Sequence, residues 1–219
     1  GDASHQLRTP LTALIGELEV ARRRERSPEE YRHVLDDAHA EAIHLREIVE
    51  SLLFLARAEA DAPCPNLRPI DLAAWLPAHL RSWSDRNRGS DIRSEFPPPP
   101  MIVLAHAPLL GQLLDNLLEN ACKYSAPGTP IRVAVRREPG ATLLIVEDRG
   151  VGLAPEEVAH IFEPFYRTPS AHLRGQPGVG LGLAVVQRIA ANFCATIHAE
   201  SEPGQGTRFV VRFPEARPQ

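Results

Sequence analysis

The chain has 219 residues, a formal net charge of -4 and 43% hydrophobic residues, enough for one or two domains with a real core and no general electrostatic case for nucleic acid. Its three cysteines, Cys64, Cys122 and Cys194, are far apart and form no CxxC pair, which reads as reduced thiols in a cytosolic setting rather than a disulfide framework or a metal site. The longest apolar runs fall far below the roughly 20 residues of a membrane helix, and no stretch reads as a signal peptide.

Residues 2 to about 24 are predicted to form one helix, with Leu7, Leu11, Leu14 and Leu18 along a narrow apolar seam. After the polar break RRRERSPEE, Ser27 is the expected N-cap and Pro28 the first residue of a second helix reaching about 60. Tyr31, Val34, Ala38, Ala42, Leu45, Val49, Leu52 and Ala56 give it a seam of similar pitch. Two seamed helices on a short loop make an antiparallel hairpin. One hairpin buries both seams poorly, whereas two make a four-helix bundle, so a twofold homodimer is expected. The proline-rich DAPCPNLRP reads as a linker, giving a helical domain over 1–60, a linker over 61–70 and a second domain over 71–219.

In that second domain DLAAWLPAHLRSW reads as a helix, IRSEF and MIVLA as short strands, and HAPLLGQLLDNLLENACKYS as a long helix. IRVAVRRE and ATLLIVED alternate as a strand hairpin across a Pro-Gly turn. PEEVAHIF reads as a short helix, RTPSAHLRGQPGVG as a glycine- and proline-rich loop, LGLAVVQRIAANF as a helix, and CATIHAES with GTRFVVRF as a closing strand pair. The mixture predicts an α/β layered domain, an α/β sandwich.

Four stretches carry candidate chemistry. Asn116, Asn120 and Lys123 share one face of the long helix, with Tyr124 at its edge. Amide oxygens suit a hard cation such as Mg²⁺ and a lysine suits phosphate; the polar outer face of an ordinary amphipathic helix gives the same pattern. Lys123 is the single lysine among 24 basic residues, a hint of a need that arginine does not meet. In VEDRGVGLAP, Asp148 ends an apolar strand and can accept from an exocyclic amine, while Gly150 and Gly152 let a flat base approach the backbone; a plain turn also favours these residues. GQPGVGLGLAVV places Gly178, Gly180 and Gly182 before a helix start that offers unpaired N–H groups to an anion. EPGQGTRF is a tight turn before a strand.

Order and company add what each lacks alone. LLDNLLENACKYS resembles the N box of the histidine-kinase ATP-binding domain, VEDRGVGL its G1 box, IFEPFYR its F box, GVGLGLAVV its G2 box and GQGTRF its last glycine box, while SHQLRTPLTAL resembles the phosphoacceptor H box of the same proteins. The resemblance covers nearly the whole chain. It implies a Bergerat fold, a mixed sheet with helices on one face. It further implies that Asn120 ligates the Mg²⁺ of Mg-ATP with Asn116 nearby, that Lys123 reaches the phosphates and that Tyr124 lines the adenine. By the same resemblance Asp148 binds the adenine amine with support from Thr207, and Gly150 and Gly152 shape that pocket. Phe162 and Phe165 anchor a lid over 163–180 that orders on binding, Arg167 contacts the phosphates, and Gly178, Gly180, Leu181, Gly182 and Leu183 wrap them. Related hydrolytic ATPases carry a glutamate at the place of Asn116, so the asparagine implies phosphoryl transfer to a protein nucleophile rather than to water. Asp115 and Glu119 stand about 100° away from their asparagine neighbours.

That nucleophile is expected to be His5. With Leu7 at zero on a helical wheel, His5 falls near 160°, at about 100° per residue, and Thr9 near 200°, opposite the seam. Pro10 removes an N–H and bends the helix beside the histidine. The resemblance then implies transfer to an aspartate of a response regulator, with Thr9 helping to dephosphorylate it. It places the chain in the cytoplasm, joined to a membrane-anchored sensor region outside this sequence. Gln6 departs from the family pattern, where an acidic residue follows the histidine; glutamine can fix the imidazole tautomer but carries no compensating charge. The alternative reading is a Bergerat-fold ATP-binding module with weak or lost kinase activity, acting by dimerisation or as a phosphatase.

Overall fold

The computed structural model describes residues 2–59, 66–84, 88–96, 98, 100–173, 176 and 178–215, with the side chains of 2–6, 57–59, 172 and 173 outside the description. Helix α1 spans Asp2–Arg22, with Pro10 inside it, and α2 spans Pro28–Glu59. The entry into α2 is the expected capping box: Glu30 N–H donates to Ser27 Oγ (3.2 Å) and Ser27 N–H to Glu30 Oε2 (3.0 Å). The two helices pack against each other, yet Leu11, Ile15, Leu18, Leu35, Val49 and Leu53 stay exposed.

Strand β1 (Arg68–Asp71) begins inside the segment read as linker and pairs antiparallel with β3 (Ile102–Ala105); residues 61–65 lie outside the described residues. Between these strands run α3 (Leu72–Arg81), a 3-10 turn over Gly89–Asp91 and β2 (Ile92–Glu95). Then follow α4 (Ala107–Tyr124), β4 (Ile131–Glu138), β5 (Ala141–Glu147), α5 (Pro155–Val158), α6 (Pro169–Leu173), α7 (Gly182–Asn192), β6 (Thr196–Glu202) and β7 (Gly206–Pro214). The short α6 stands within the segment read as loop. The main sheet has the order β2-β4-β5-β7-β6, with β2 parallel to β4 and the other pairs antiparallel.

Alternation decides which face is covered. Val133, Val135, Leu144, Val146, Val211 and Phe213 point to one side, where they bury against Leu113, Leu114, Leu117 and Leu118 of α4 and Val185, Val186 and Ile189 of α7. On the opposite side Ala134, Ile145 and Val210 stand in register as a small second cluster with Leu143. Around it runs a ladder of half-exposed ion pairs, Arg132–Glu147 and Arg208–Glu200 among them, of the kind that contributes little each. This is a mixed sheet with helices on one face, as expected.

The end of α7 shows a local strain. Ala195 N–H donates to Ala190 O (2.9 Å) and Cys194 N–H to Ala191 O (3.0 Å), a Schellman closure in which Cys194 takes φ +54°. A side chain in that conformation costs about 1 kcal/mol. We expect Cys194→Gly to raise the melting temperature by roughly 2–4 °C in calorimetry; an unchanged or lower midpoint refutes the strain argument. Cys122 and Cys194 are free thiols, and Cys64 lies outside the described residues.

Candidate functional site

A cleft of about 890 Å³ opens along α4, between the start of β5's following loop, the segment 166–183 and α2. Its position follows from α4's amphipathicity. The leucine face is buried in the core, so the opposite face carries Asn116, Asn120 and Lys123 into the cleft, with Tyr124 beside them. Asn116 Nδ2 donates to Gln112 O (2.9 Å), one turn back. That leaves its Oδ1 facing Gly182, where any Cβ would stand 2.9 Å away, so a side chain at 182 would push the Asn116 amide aside.

The carboxylate next to Asn116 is turned elsewhere. Asp115 Oδ1 accepts from Trp83 Nε1 (2.7 Å) and bonds His79 Nε2 (2.8 Å), tying α4 to α3. Helical rotation had placed Asp115 off the asparagine face, and its partners account for it. Glu119 differs from that expectation: it is exposed but reaches the rim of the cleft.

At the far end Asp148 is 6% exposed. Burial pushes its carboxyl up to about 6, against the lowering effect of hydrogen bonds from Gly150 and Thr207 N–H. Gly150 N–H donates to Asp148 Oδ1 at 2.7 Å. Thr207 supports Asp148 through its backbone, its carbonyl accepting from Asp148 N–H (2.9 Å). Its hydroxyl turns to Ser201 Oγ (3.0 Å), which also accepts from Leu153 N–H (2.9 Å). Gly152 takes φ +65° with its α-carbon against the Glu202 carbonyl, a place no side chain can enter. Val151, Leu153, Ile161 and Phe209 supply apolar lining beside Asp148.

Two cations face the middle of the cleft. Burial, with the Arg167 charge beside it, holds the Lys123 ammonium below the usual lysine range. Its Nζ lies 4.9 Å from the Tyr124 ring centroid and close enough to Gly178 that a Cβ there would meet it at 2.7 Å. Arg167 donates from Nη2 to Gln176 O, and its Nε is buried with no hydrogen-bond partner. Two neighbouring cations, with a buried Arg167 N–H that has no partner among the described residues, fit an anion such as a phosphate chain. Gly180, Leu181 and Leu183 line the same region.

Phe165 and Gly150 do not line the cleft. Phe165 takes φ +67°, its N–H donating to Gly180 O (2.9 Å), and the lining residue there is Tyr166. Phe162 packs edge-on against Phe209 (6.4 Å) and so fixes the segment to the core. Thr9 is exposed on α1. His5 and Gln6 are helical in backbone, and their side chains lie outside the described residues. Among the described residues no α1 side chain lines the cleft; His44, Glu47, Ile48, Glu50 and Ser51 of α2 do. No motif announces those five, because they reach the cleft only through docking of the hairpin, with Ile48 3% exposed and Phe54 and Leu55 packed on the core.

Residues 105–217 match the family described as histidine kinase-, DNA gyrase B-, and HSP90-like ATPase, and residues 1–61 match the His Kinase A (phospho-acceptor) domain. The sensor histidine kinase YkoH of Bacillus subtilis is 34% identical over 215 residues, which are 98% of this chain and 46% of that protein. The chain spans about half the length of the curated relatives it matches. Among solved structures, the histidine kinase AdeS of Acinetobacter baumannii superposes with a TM-score of 0.75 at 25% identity, covering 97% of this chain and 98% of that one. Full-length ShkA in complex with AMPPNP gives a TM-score of 0.71 at 28% identity, covering 98% of this chain and 45% of ShkA.

Proposed function

Since the chain belongs to the sensor histidine kinases, we propose that it is the catalytic core of one, using ATP to phosphorylate His5 and passing the phosphoryl group to an aspartate of a response regulator. The observation that carries this reading is the polarity of the cleft. A buried carboxylate acceptor, Asp148, stands at one end, and two amides with two cations stand toward the other. That order matches adenine followed by phosphates. The likeness to ShkA, whose structure holds AMPPNP, supports it.

Within the cleft Asp148 accepts from the adenine amine and Tyr124 lines the ring. Lys123 and Arg167 neutralise phosphate charge, and Gly178, Gly180 and Gly182 bring backbone N–H groups close. Among the described residues no group of three His, Cys, Asp or Glu side chains could hold a metal ion. The donor set fits Mg²⁺ in its usual role, held by phosphate oxygens plus one protein ligand, for which the Asn120 amide oxygen is suited. Mg²⁺ would offset phosphate charge there. At the place where hydrolytic relatives carry a water-activating glutamate, Asn116 offers no base.

The lengths of the two helices support His5 as the acceptor. His5 lies 17 residues before the end of α1, and His44, on the cleft wall, 16 residues after the start of α2. In an antiparallel pair these stand level. An imidazole nitrogen of His5 attacks the γ-phosphorus in line, the N–P bond forms, and the bond to the ADP oxygen breaks with its electron pair leaving on ADP. The exposed apolar side chains of α1 and α2 support a homodimer through the hairpin. Thr9, one turn beyond His5, serves the dephosphorylation of the regulator. No described helix is long and apolar enough to cross a membrane; we place this core in the cytoplasm, attached to a sensor region outside it.

Incubation with γ-labelled ATP tests the reading. Protein-bound label that is acid-labile and base-stable is expected; release of inorganic phosphate without it overturns the proposal. Gln6→Glu, which restores a charge beside the imidazole, should speed label uptake several-fold. Equal or slower uptake counts against that role of residue 6.

A further inference from the structure

We propose that Arg88, outside the cleft, is a positioning residue for adenine: its guanidinium ties off the carboxyl end of α4 and so fixes the Tyr124 carbonyl on which the Gly150–Val151 turn is built. The inference rests on the reading that the Asp148 end of the cleft holds adenine.

The last four carbonyls of a helix have no partner within it. At the end of α4 three of these four have partners outside the regular helical ladder. Ala121 O accepts from Ser125 Oγ (2.6 Å), Cys122 O from Arg88 Nη1 (2.6 Å) and Tyr124 O from Val151 N–H (3.1 Å). Arg88 does more than cap. The same Nη1 reaches Ser125 O (2.8 Å), and Nη2 reaches Ala126 O (2.8 Å) and Thr129 O (3.3 Å). Its Nε donates to Asp91 Oδ2 (2.8 Å), which also accepts from Gly128 N–H (3.0 Å). Both side chains of this pair are nearly covered, at 12% and 13% exposure. One planar fork thus holds the turn from 122 to 129 from inside, a task for which guanidinium geometry is suited, with a cation placed at the negative end of the helix dipole.

What that turn supports is the adenine end. Gly150 sits so close to the Tyr124 carbonyl that no side chain fits, and its N–H aims at Asp148 Oδ1 (2.7 Å). Arg88 therefore acts on Asp148 through three linked contacts, the helix end, the Tyr124 carbonyl and the Gly150–Val151 turn, and its charge also favours the ionised carboxylate. Asn116 and Asn120 stand one to two turns earlier, held by regular helical bonds, and are not expected to shift. Loss of Arg88 should weaken the adenine contribution and leave the γ-phosphate contribution alone.

Calorimetric titration of the whole chain with ADP and with AMPPNP separates this from a merely structural role, because the fitted site number reports the folded fraction and the Kd reports the site. For Arg88→Gln we expect both Kd values to rise about tenfold, the loss of roughly one charge-assisted hydrogen bond, with their ratio unchanged. In phosphorylation assays KM for ATP should rise in step while kcat at saturation stays. Arg88→Lys should recover part of the affinity, and Ser125→Ala, a milder cut in the same turn, should lose about threefold. Lower site number or melting temperature with unchanged Kd in both variants overturns the inference, as does a changed ADP to AMPPNP ratio. Failure of the unaltered chain to bind either nucleotide overturns the adenine reading itself.

Discussion

Replacing Asp148 by asparagine will cost about 100-fold in nucleotide affinity and will remove a pH dependence from the stability of the nucleotide-free protein. The affinity argument is one of acceptors. The carboxylate accepts from Gly150 and Thr207 N–H and has a lone pair left for the adenine amine. Asparagine has one acceptor oxygen, so an N–H group must face another N–H group somewhere in the set. Losing a hydrogen bond to a charged acceptor and leaving a buried donor unpaired amount to roughly 3 kcal/mol. The pH argument follows from burial. The Asp148 carboxyl titrates near 6 in the folded chain against 3.8 for the ordinary group. Between these values the native state holds a proton that the unfolded state has lost, so stability falls as pH rises through the window and levels off above it. The total is about 3 kcal/mol. Nucleotide affinity runs the other way, since the ionised carboxylate is the stronger acceptor for the amine and the protonated one sets an O–H donor among N–H donors: it should weaken as pH drops below about 6. Melting curves of the two proteins from pH 4 to 7, with and without ADP, check both signs. A stability difference between them that is flat across this range refutes the burial argument.

His5→Ala will take up no label from γ-labelled ATP yet bind nucleotide like the unaltered chain. The first half follows from the proposed nucleophile: the chain has eight other histidines, but only His5 stands in the stretch that resembles the phosphoacceptor box. His44 is the stringent control, because it lines the cleft. His44→Ala should keep its acid-labile label. The second half follows from the lining, which among the described residues comes from α2 and the α/β domain and not from α1. Loss of label of at least a thousandfold, with Kd for ADP within twofold, is expected on the scale of removing a nucleophile. Label surviving in His5→Ala and vanishing in His44→Ala would reverse the assignment.

Much of this protein is local and therefore legible. Ser27 and Pro28 announce the start of α2 because capping needs only neighbours in sequence. The leucines of α4 and the alternation in β4, β5 and β7 set which face is buried, and burying the leucine face aims Asn116, Asn120 and Lys123 outward together. The glycines of the cleft are legible as punctuation, though not their reasons: Gly152 is small because the Glu202 carbonyl stands opposite, and Gly150 because the Tyr124 carbonyl does. Tertiary structure alone decided what depends on distant segments meeting. It pairs β1, read as linker, with β3. It turns Asp115 to Trp83 and His79, sets Tyr166 rather than Phe165 in the lining, and engages the Thr207 hydroxyl with Ser201. It also brings α2 across the cleft and Arg88 under the end of α4, 34 or more residues away along the chain. Periodicity records which side of an element is buried, but not which remote side chain completes an unsatisfied carbonyl or a shared wall. Those partners are selected by packing, and only the folded chain names them.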